Sequence, residues 1–132
     1  MALNKSEITK LLSKEQLVYI ATVKQNGNPH IAPIWFVYHQ GKIYFETDKT
    51  TVKFGNIKRH NRIALCFSGK PGYIIEGSVE WWVEKEAPVP FRKLLWEKYG
   101  KDMDDSYITE KTYIFEVIPE KEMSWHYAPG WD

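Results

Sequence analysis

The chain has 132 residues and a mass of 15.6 kDa, which predicts a single domain spanning residues 1–132. Apolar residues make up 43% and charged residues 27%, so the composition is that of a folded globular protein and excludes a disordered chain. Because 18 Lys and Arg face 17 Asp and Glu, the net charge of +1 argues against nucleic acid or an anionic membrane surface as a partner.

Signals for membranes, secretion and metals are sparse. The longest stretch without Asp, Glu, Lys or Arg, residues 25–41, carries Asn, Pro, His and Gln throughout, and it predicts no membrane span. The first ten residues lack an apolar stretch, so we expect no secretion signal and a cytoplasmic protein. The single cysteine, Cys66, excludes an internal disulfide, and the four histidines show no metal-ligand spacing, so no metal is expected.

The first half of the chain predicts a helix, a meander of strands and a second helix. The first helix is expected over residues 6–15, with Ser6 as its cap. β-branched and aromatic residues then alternate with turns, of which Asn26-Gly27 is a strong hairpin signal. The predicted strands are residues 17–23, 30–38 and 43–47. The second helix is expected over residues 50–61.

The second half continues the same pattern. Its predicted strands are residues 63–67, 73–83, 112–118 and 122–127. Phe91, Leu95 and Tyr99 recur at a spacing of four and predict a helix between the second and third of these strands. Six or seven short antiparallel strands with two or three flanking helices indicate a mainly β (β+α) protein built as a small antiparallel barrel.

Two predicted strands are apolar on both faces, which is unusual for an antiparallel barrel. Residues 17–23 and 30–38 carry apolar side chains at successive positions, and Trp81 and Trp82 are neighbours on another strand. Because successive side chains point to opposite faces, part of this apolar surface lies outside the barrel. A helix, a ligand or a second subunit is needed to cover it.

The segment from residue 19 to residue 67 carries an ordered set of short motifs, namely Thr22-Val23, Gly27, Pro33, Trp35-Phe36, Thr47, Thr51-Val52-Lys53 and Asn61. This ordered set resembles the pyridoxamine-5'-phosphate-oxidase-like family of FMN-binding split barrels. The second half agrees with the family in layout, through Gly77 in a long strand. The resemblance implies a split β-barrel that binds FMN, forms a homodimer and acts on a small-molecule substrate.

Residues 49–62 are a candidate phosphate site. They contain no acidic residue and five basic ones, Lys49, Lys53, Lys58, Arg59 and Arg62. A helix that begins here, at the hydroxyls of Thr50 and Thr51, presents free backbone N–H groups to an anion. The resemblance implies that Lys53 contacts the flavin phosphate, with Val52 where the classical oxidases have an Arg. From the residues alone, a solvated basic helix face is the alternative.

The resemblance also implies contacts to the flavin ring. It aligns residues 30–35 with a strand that lies along the edge of the isoalloxazine ring, where backbone hydrogen-bond donors are needed. It also aligns Glu46 and Thr47 with a pair of residues at a strand end that approaches the cofactor. The implied cofactor residues are His30, Ala32, Ile34 and Trp35 on the first strand and Glu46 and Thr47 on the second. A plain core strand is the alternative for the first set, and no catalytic residue is predicted.

The C-terminal segment, residues 125–132, is rich in aromatic residues. In split barrels this segment often packs near the partner's flavin, so Trp125 and His126 are predicted to line a substrate or partner cleft. A strand docked on the core is an equal alternative. True pyridoxamine-5'-phosphate oxidases end in an Arg-rich stretch, and the absence of Arg here argues against that activity.

The leading hypothesis is therefore an FMN-dependent oxidoreductase of unknown substrate. One alternative is a reductase of the same fold that uses the deazaflavin coenzyme, whose phosphate-bearing tail also suits the basic helix. Another is a flavin-binding module without turnover. A nucleic-acid-binding barrel is disfavoured because the positive charge is confined to one helix.

Overall fold

The computed structural model describes residues 2–103 and 108–126, and this part of the chain holds seven strands and three α-helices. The helices are α1 (Lys5–Lys14), α2 (Val52–Arg59) and α3 (Phe91–Tyr99). The strands are β1 (Val18–Val23), β2 (Pro29–Ile34), β3 (Val37–His39), β4 (Lys42–Asp48), β5 (Arg62–Gly69), β6 (Gly72–Val83) and β7 (Thr112–Trp125). Short 3-10 turns at Glu84–Glu86 and Gly100–Asp102 flank α3.

All seven strands form one antiparallel sheet in the order β2-β1-β5-β6-β7-β4-β3. β2 and β3 lie at opposite edges of this sheet, yet only Trp35 and Phe36 separate them along the chain. Because two residues span only about 7 Å, the sheet must curl until its edges meet at that point. The result is a barrel that is open along the rest of the β2–β3 seam, and the predicted mainly β split-barrel fold is confirmed.

Two apolar clusters lie on the two sides of this sheet. The barrel interior is filled by side chains that are at most 1% exposed, namely Val18, Ile20, Phe36, Phe45, Leu65, Phe67, Ile75, Val79 and Phe115. The second cluster lies outside the barrel, where α3 covers β3, β4 and β7 through Val37, Tyr44, Phe91, Leu95, Tyr99 and Ile114. Thus α3 buries the outer face of one half of the sheet only.

The first helix is capped by a different residue from the predicted Ser6. The Asn4 side chain accepts a hydrogen bond from the Glu7 N–H at 2.8 Å, and the Glu7 carboxylate accepts one from the Asn4 N–H at 2.9 Å. This reciprocal arrangement needs Glu or Gln three residues after the cap, a spacing that Asn4 has and Ser6 does not.

Two strand predictions are corrected. The single strand predicted over residues 30–38 is divided into β2 and β3, because the chain crosses from one sheet edge to the other at Trp35-Phe36. The two strands predicted near the C-terminus are one, β7, which contains a one-residue bulge opposite Glu76 and Gly77. A Cβ at Gly77 would lie 2.1 Å from the Ile118 carbonyl oxygen, so the bulge requires glycine there. Tyr127 lies outside the described residues.

None of the helices in residues 2–103 and 108–126 has the length and apolar character needed to cross a membrane.

Candidate functional site

A cleft of about 450 Å³ opens where the ends of β2 and β4 meet the start of α2. It is lined by six residues predicted to bind the cofactor, namely Ile34, Trp35, Glu46, Thr47, Thr51 and Lys53. Leu17, Pro33 and Asp48, which were not among the predicted site residues, complete the lining. The cleft thus brings together residues from three separate segments of the chain.

His30 and Ala32 do not line this cleft. Their side chains share the inner face of β2, and they pair with Thr22 and Ile20 of β1. The His30 Nδ1 atom is buried and has no hydrogen-bond partner within the described residues. The predicted contact of these two residues with a cofactor stays a prediction.

The edge of β2 offers fewer backbone donors than a regular strand. Opposed residues of an antiparallel strand pair alternate between pairs that exchange two backbone hydrogen bonds and pairs that exchange none. Pro29 and Pro33 have no N–H, so the pairs that exchange hydrogen bonds with β1 are those of His30, Ala32 and Ile34. Those three N–H groups therefore face β1. Within Pro29–Ile34, the free edge presents the N–H of Ile31 together with carbonyl groups.

Trp125 and His126 lie at another end of the molecule. The His126 Nε2 atom is 2.9 Å from a carboxylate oxygen of Glu7 in α1, and the Trp125 indole lies against Gly72. Neither residue reaches the cleft of its own chain. Whether they line a partner's cleft stays a prediction, and residues 127–132 of the predicted tail lie outside the described residues.

A compact turn sets the start of α2. The Asp48 carboxylate accepts hydrogen bonds from the N–H and the hydroxyl of Thr50, at 2.8 and 2.7 Å. These bonds hold the pKa of the Asp48 carboxyl below its usual range. Thr51 caps the helix, because its hydroxyl oxygen accepts from the Phe54 N–H at 3.2 Å and its hydroxyl donates to the Asp48 carbonyl at 2.9 Å. The sequence signal that identifies Asp48 is an Asp two residues before a Thr at a helix start.

This turn leaves the positive end of α2 facing the cleft. The N–H groups of Val52 and Lys53 belong to the first helical turn and have no partner within the helix. Aligned peptide dipoles add a partial positive charge at the same place. α2 is shorter at both ends than the helix predicted over residues 50–61. Its first turn still contains Lys53, as the predicted phosphate contact requires.

Lys53 and Glu46 are the charged side chains that face each other in the cleft. Burial lowers the pKa of Lys53, although the nearby Glu46 acts in the opposite direction. Burial raises the pKa of Glu46 to about 7, with Lys53 opposing that shift and Asp48 adding to it. In the described part of the chain, no hydrogen bond or ion pair engages the Lys53 ammonium. It is therefore available to an external anion.

The other basic residues of this segment do not line the cleft. The Arg59 guanidinium donates to the Asn56 side-chain oxygen at 2.9 Å and to the Val23 carbonyl at 3.2 Å. Arg62 forms an ion pair with Glu120 of β7, and Lys58 is exposed. Lys53 alone combines the segment's positive charge with the cleft.

The cleft is continuous with an exposed apolar surface. Leu17 and Pro33 line the cleft and also belong to the outer face of β1 and β2, with Tyr19, Val23 and Ile31. The exposed fractions of Tyr19 and Ile31 are 47% and 68%. We call this group of five residues the outer apolar face. The sequence predicted that these strands are apolar on both sides, and no described helix covers this face.

A larger cavity, of about 610 Å³, lies beneath α1 and contains none of the predicted cofactor residues. Two pairs of its polar groups are already engaged with each other: Lys42 lies 3.5 Å from the Glu116 carboxylate, and the Tyr73 hydroxyl hydrogen-bonds Glu122. We therefore favour the cleft at α2 as the functional site. In the described residues no group of three or more His, Cys, Asp or Glu is placed to hold a metal ion.

Comparison with known proteins bears on the family and the fold. The family model described as pyridoxamine 5'-phosphate oxidase matches residues 5–126. No curated protein matches the chain in sequence.

Three solved structures show the same fold at low sequence identity. The haem storage protein HutZ from Vibrio cholerae has a TM-score of 0.77 at 15% identity, covering 97% of this chain and 98% of its own. An F420 reductase has a TM-score of 0.74 at 20% identity, covering 86% and 94%. A pyridoxamine 5'-phosphate oxidase-related, FMN-binding protein from Nostoc punctiforme has a TM-score of 0.66 at 12% identity, covering 92% and 84%. These identities establish a shared fold and leave the function to the site.

Proposed function

The chain belongs to the pyridoxamine 5'-phosphate oxidase family, and on that premise we propose that it is an FMN-dependent oxidoreductase that holds the cofactor phosphate at the start of α2. One observation carries this proposal. Lys53 is half-buried in the cleft, beside the first-turn N–H groups of α2, and its ammonium faces Glu46 but forms no hydrogen bond or ion pair within the described residues. Burying an ammonium without a hydrogen-bonded counter-ion is costly, so its position favours an anion.

The residues of the cleft fit a phosphate group. A phosphate at this place would accept hydrogen bonds from Lys53 and from the N–H groups of Val52 and Lys53, and it would lie at the positive end of the helix dipole. The carboxylates of Glu46 and Asp48 oppose it, but Asp48 is held in its turn by Thr50. Charge-assisted bonds of this kind are about twice as strong as neutral ones.

The protein's part in the reaction is to bind, orient and exclude water. When bound, FMN supplies the redox chemistry, whereas the protein sets its position and surroundings. Leu17, Pro33 and Trp35 contribute apolar surface to the lining of the cleft. We assign no side chain to proton transfer.

A second copy of the chain is proposed to cover the outer apolar face. Four of its five residues, Leu17, Tyr19, Val23 and Ile31, are between 36% and 68% exposed, and adjoining exposed apolar residues of this kind usually mark an interaction site. Because Leu17 and Pro33 belong both to this face and to the cleft, a two-fold dimer places each cofactor at the subunit boundary. The small-molecule substrate then enters between subunits, with Trp125 and His126 of the partner as candidates for the second wall.

Sedimentation velocity at micromolar concentration tests the dimer. We expect a dimer for the natural chain and a monomer for Ile31→Lys, which puts a charge in the centre of the outer apolar face. Trp96→Lys is the matched control, since Trp96 is 54% exposed on α3, away from this face. A natural chain that sediments as a stable monomer contradicts the proposal.

Ligand titration separates the FMN proposal from its alternatives. Purified protein is analysed by absorption and mass spectrometry for a co-purified molecule, and ligand-free protein is then titrated with FMN, riboflavin, the deazaflavin coenzyme and haem. We expect FMN to bind with a spectral shift, and riboflavin to bind at least tenfold more weakly because it lacks the phosphate.

The remaining outcomes discriminate between the other candidates. Tighter binding of the deazaflavin coenzyme than of FMN would favour the reductase that uses this coenzyme. FMN binding without reduction by any donor would favour a binding module without turnover. Equal affinity for FMN and riboflavin, or binding of haem alone, would overturn the phosphate site at Lys53.

A further inference from the structure

Two residues of α3 reach into the break between β2 and β3. The Tyr99 hydroxyl accepts a hydrogen bond from the Phe36 N–H at 3.1 Å and lies 2.8 Å from the Phe36 carbonyl and 2.9 Å from the Gln16 carbonyl. The Lys98 ammonium donates to the Phe36 carbonyl at 3.2 Å and to the Leu12 carbonyl at 3.5 Å. The break is therefore held from outside the sheet by one helix.

Both side chains are needed to provide these backbone groups with hydrogen-bond partners. Phe36 lies outside both strands and is fully buried, so its N–H and carbonyl need partners other than a sheet neighbour. A hydroxyl has one proton to donate, so Tyr99 serves either the Gln16 or the Phe36 carbonyl. Lys98 supplies the other donor, and its ammonium also lies 3.6 Å from the centre of the Phe36 ring.

The same tyrosine contacts the residue next to Phe36. The rings of Trp35 and Tyr99 are stacked, with centroids 4.2 Å apart and planes within 2° of parallel. Trp35 lines the cleft at α2, whereas Tyr99 is 1% exposed and does not line it. Tyr99 thus joins the buried cluster beneath α3 to one wall of the cleft.

Resting on the proposed function, we propose that Tyr99 is a positioning residue for the cofactor, which acts by fixing the Trp35 indole in the wall of the cleft, with Lys98 as its second support. The hydrogen bonds to the Phe36 backbone set the direction in which the Trp35 side chain projects. The stacked ring then sets the plane of its indole. Cofactor affinity is predicted to depend on a side chain that does not itself touch the cofactor.

Tyr99→Phe is the main test because it keeps the ring and removes only the hydroxyl. The first readout needs no cofactor: the indole N–H signal of Trp35 in an NMR spectrum, identified by its loss in Trp35→Phe. We expect this signal to move by more than its linewidth in Tyr99→Phe, while the signal of Trp125 does not move. An unmoved Trp35 signal in a folded variant would overturn the proposal, whatever the protein binds.

The second readout is a double-mutant cycle on the FMN dissociation constant. We expect Tyr99→Phe to weaken FMN binding at least fivefold in the natural chain, and less than twofold in a Trp35→Ala background. A general structural role would instead give the same loss in both backgrounds, and that result would overturn the proposal. Failure of the natural chain to bind FMN would count against the proposed function, and the NMR readout would still decide the role of Tyr99.

Lys98→Met keeps the test decisive if Tyr99→Phe does not fold. Methionine fills a similar volume and cannot donate to the Phe36 carbonyl. Burial lowers the pKa of Lys98 to about 8, so removing this ammonium relieves a desolvation cost and the variant is expected to fold. We expect the same displaced Trp35 signal and a smaller loss of FMN affinity. A natural Trp35 signal in folded Lys98→Met would overturn the proposal as stated, because Lys98 is one of the two supports it names.

Discussion

The two ends of α2 carry the same charge and are used differently. At the start of the helix, Lys53 faces the cleft, and its ammonium forms no hydrogen bond or ion pair among the described residues. At the end, Arg59 is bonded to Asn56 and to the Val23 carbonyl, and Arg62 beyond it is paired with Glu120. One basic segment therefore provides both a binding site and a set of structural attachments.

The difference between the two ends has a physical origin. At the start of a helix the N–H groups lack acceptors, so a cation there adds to a positive field and favours an external anion. At the end, the carbonyl groups lack donors, and the Arg59 guanidinium donates to a carbonyl of the helix, that of Gly55, at 3.4 Å in addition to its other bonds. The position of each cation along the helix, rather than the number of cations, decides which of them is available to a ligand.

Removing the cation at the start of the helix has the largest expected effect. Lys53→Ala deletes a charge-assisted contact worth about 1.5–3 kcal/mol, which corresponds to a rise of roughly 10- to 150-fold in the FMN dissociation constant. Fluorescence titration with FMN measures it. Lys58→Ala is the matched control, since Lys58 is exposed on the same helix, and we expect it to stay within twofold of the natural chain.

Stability measurements sharpen the same comparison. Burial lowers the pKa of Lys53, so its charge costs folding free energy, and Lys53→Ala is not expected to lower the Tm. Equal, small losses of FMN affinity in Lys53→Ala and Lys58→Ala would contradict the site and indicate a solvated basic face.

The other end of α2 is predicted to respond in stability rather than in binding. The buried Asn56 amide donates to the Thr22 hydroxyl at 3.0 Å and accepts from Arg59. Asn56→Ala leaves the Thr22 hydroxyl, which is 2% exposed, without its donor, and we expect a loss of about 1–3 kcal/mol in the free energy of unfolding. Urea unfolding measures this loss. The FMN affinity of the folded variant is expected to be unchanged, and a large loss of affinity would show that the two ends are not independent.

Local sequence signals predicted most of the fold. The Asn26-Gly27 turn, the alternation in residues 73–83 and the spacing of Phe91, Leu95 and Tyr99 each depend on near neighbours, and the structure contains the corresponding hairpin, strand and helix. The division at Trp35-Phe36 was not predictable in this way. It results from the meeting of β2 and β3 after the whole sheet has curled, and from a contact with Tyr99, 63 residues away.

The candidate site shows the same limit. The family resemblance predicted Glu46, Thr47, Thr51 and Lys53 as cofactor residues, and they line one cleft because a strand end and a helix start adjoin in sequence. The partners of Arg59 and Arg62 depend on strands distant in sequence, so the sequence presented one uniform basic segment. The direction of the His30, Ala32 and Ile34 N–H groups follows from the pairing of β2 with β1, which the strand pattern does not reveal.

Glu46 gives the smallest predicted effect, a dependence of FMN binding on pH. Because the pKa of Glu46 is about 7, its carboxyl is mainly neutral at pH 6 and mainly charged at pH 8. The charged form repels a phosphate held at Lys53, so FMN affinity is expected to fall as the pH rises through 7. One proton linked to binding changes the dissociation constant by at most about tenfold per pH unit, and we expect roughly threefold between pH 6 and 8.

Glu46→Gln tests this explanation, because it removes the titrating carboxyl and leaves the ionisation of the FMN phosphate itself in place. The dissociation constant of the variant, measured from pH 6 to 8, is expected to vary less than that of the natural chain and to be lower at pH 8. Glu80→Gln, at an exposed position of β6, is the control and should leave the natural pH dependence intact.

Stability offers an independent check on the direction of the Glu46 pKa shift. The folded pKa lies above the usual value of 4.5, so the unfolded chain releases this proton first and the stability contributed by Glu46 falls between about pH 4.5 and 7. Glu46→Gln should therefore raise the Tm more at pH 8 than at pH 5, and an equal change at both values would contradict the raised pKa.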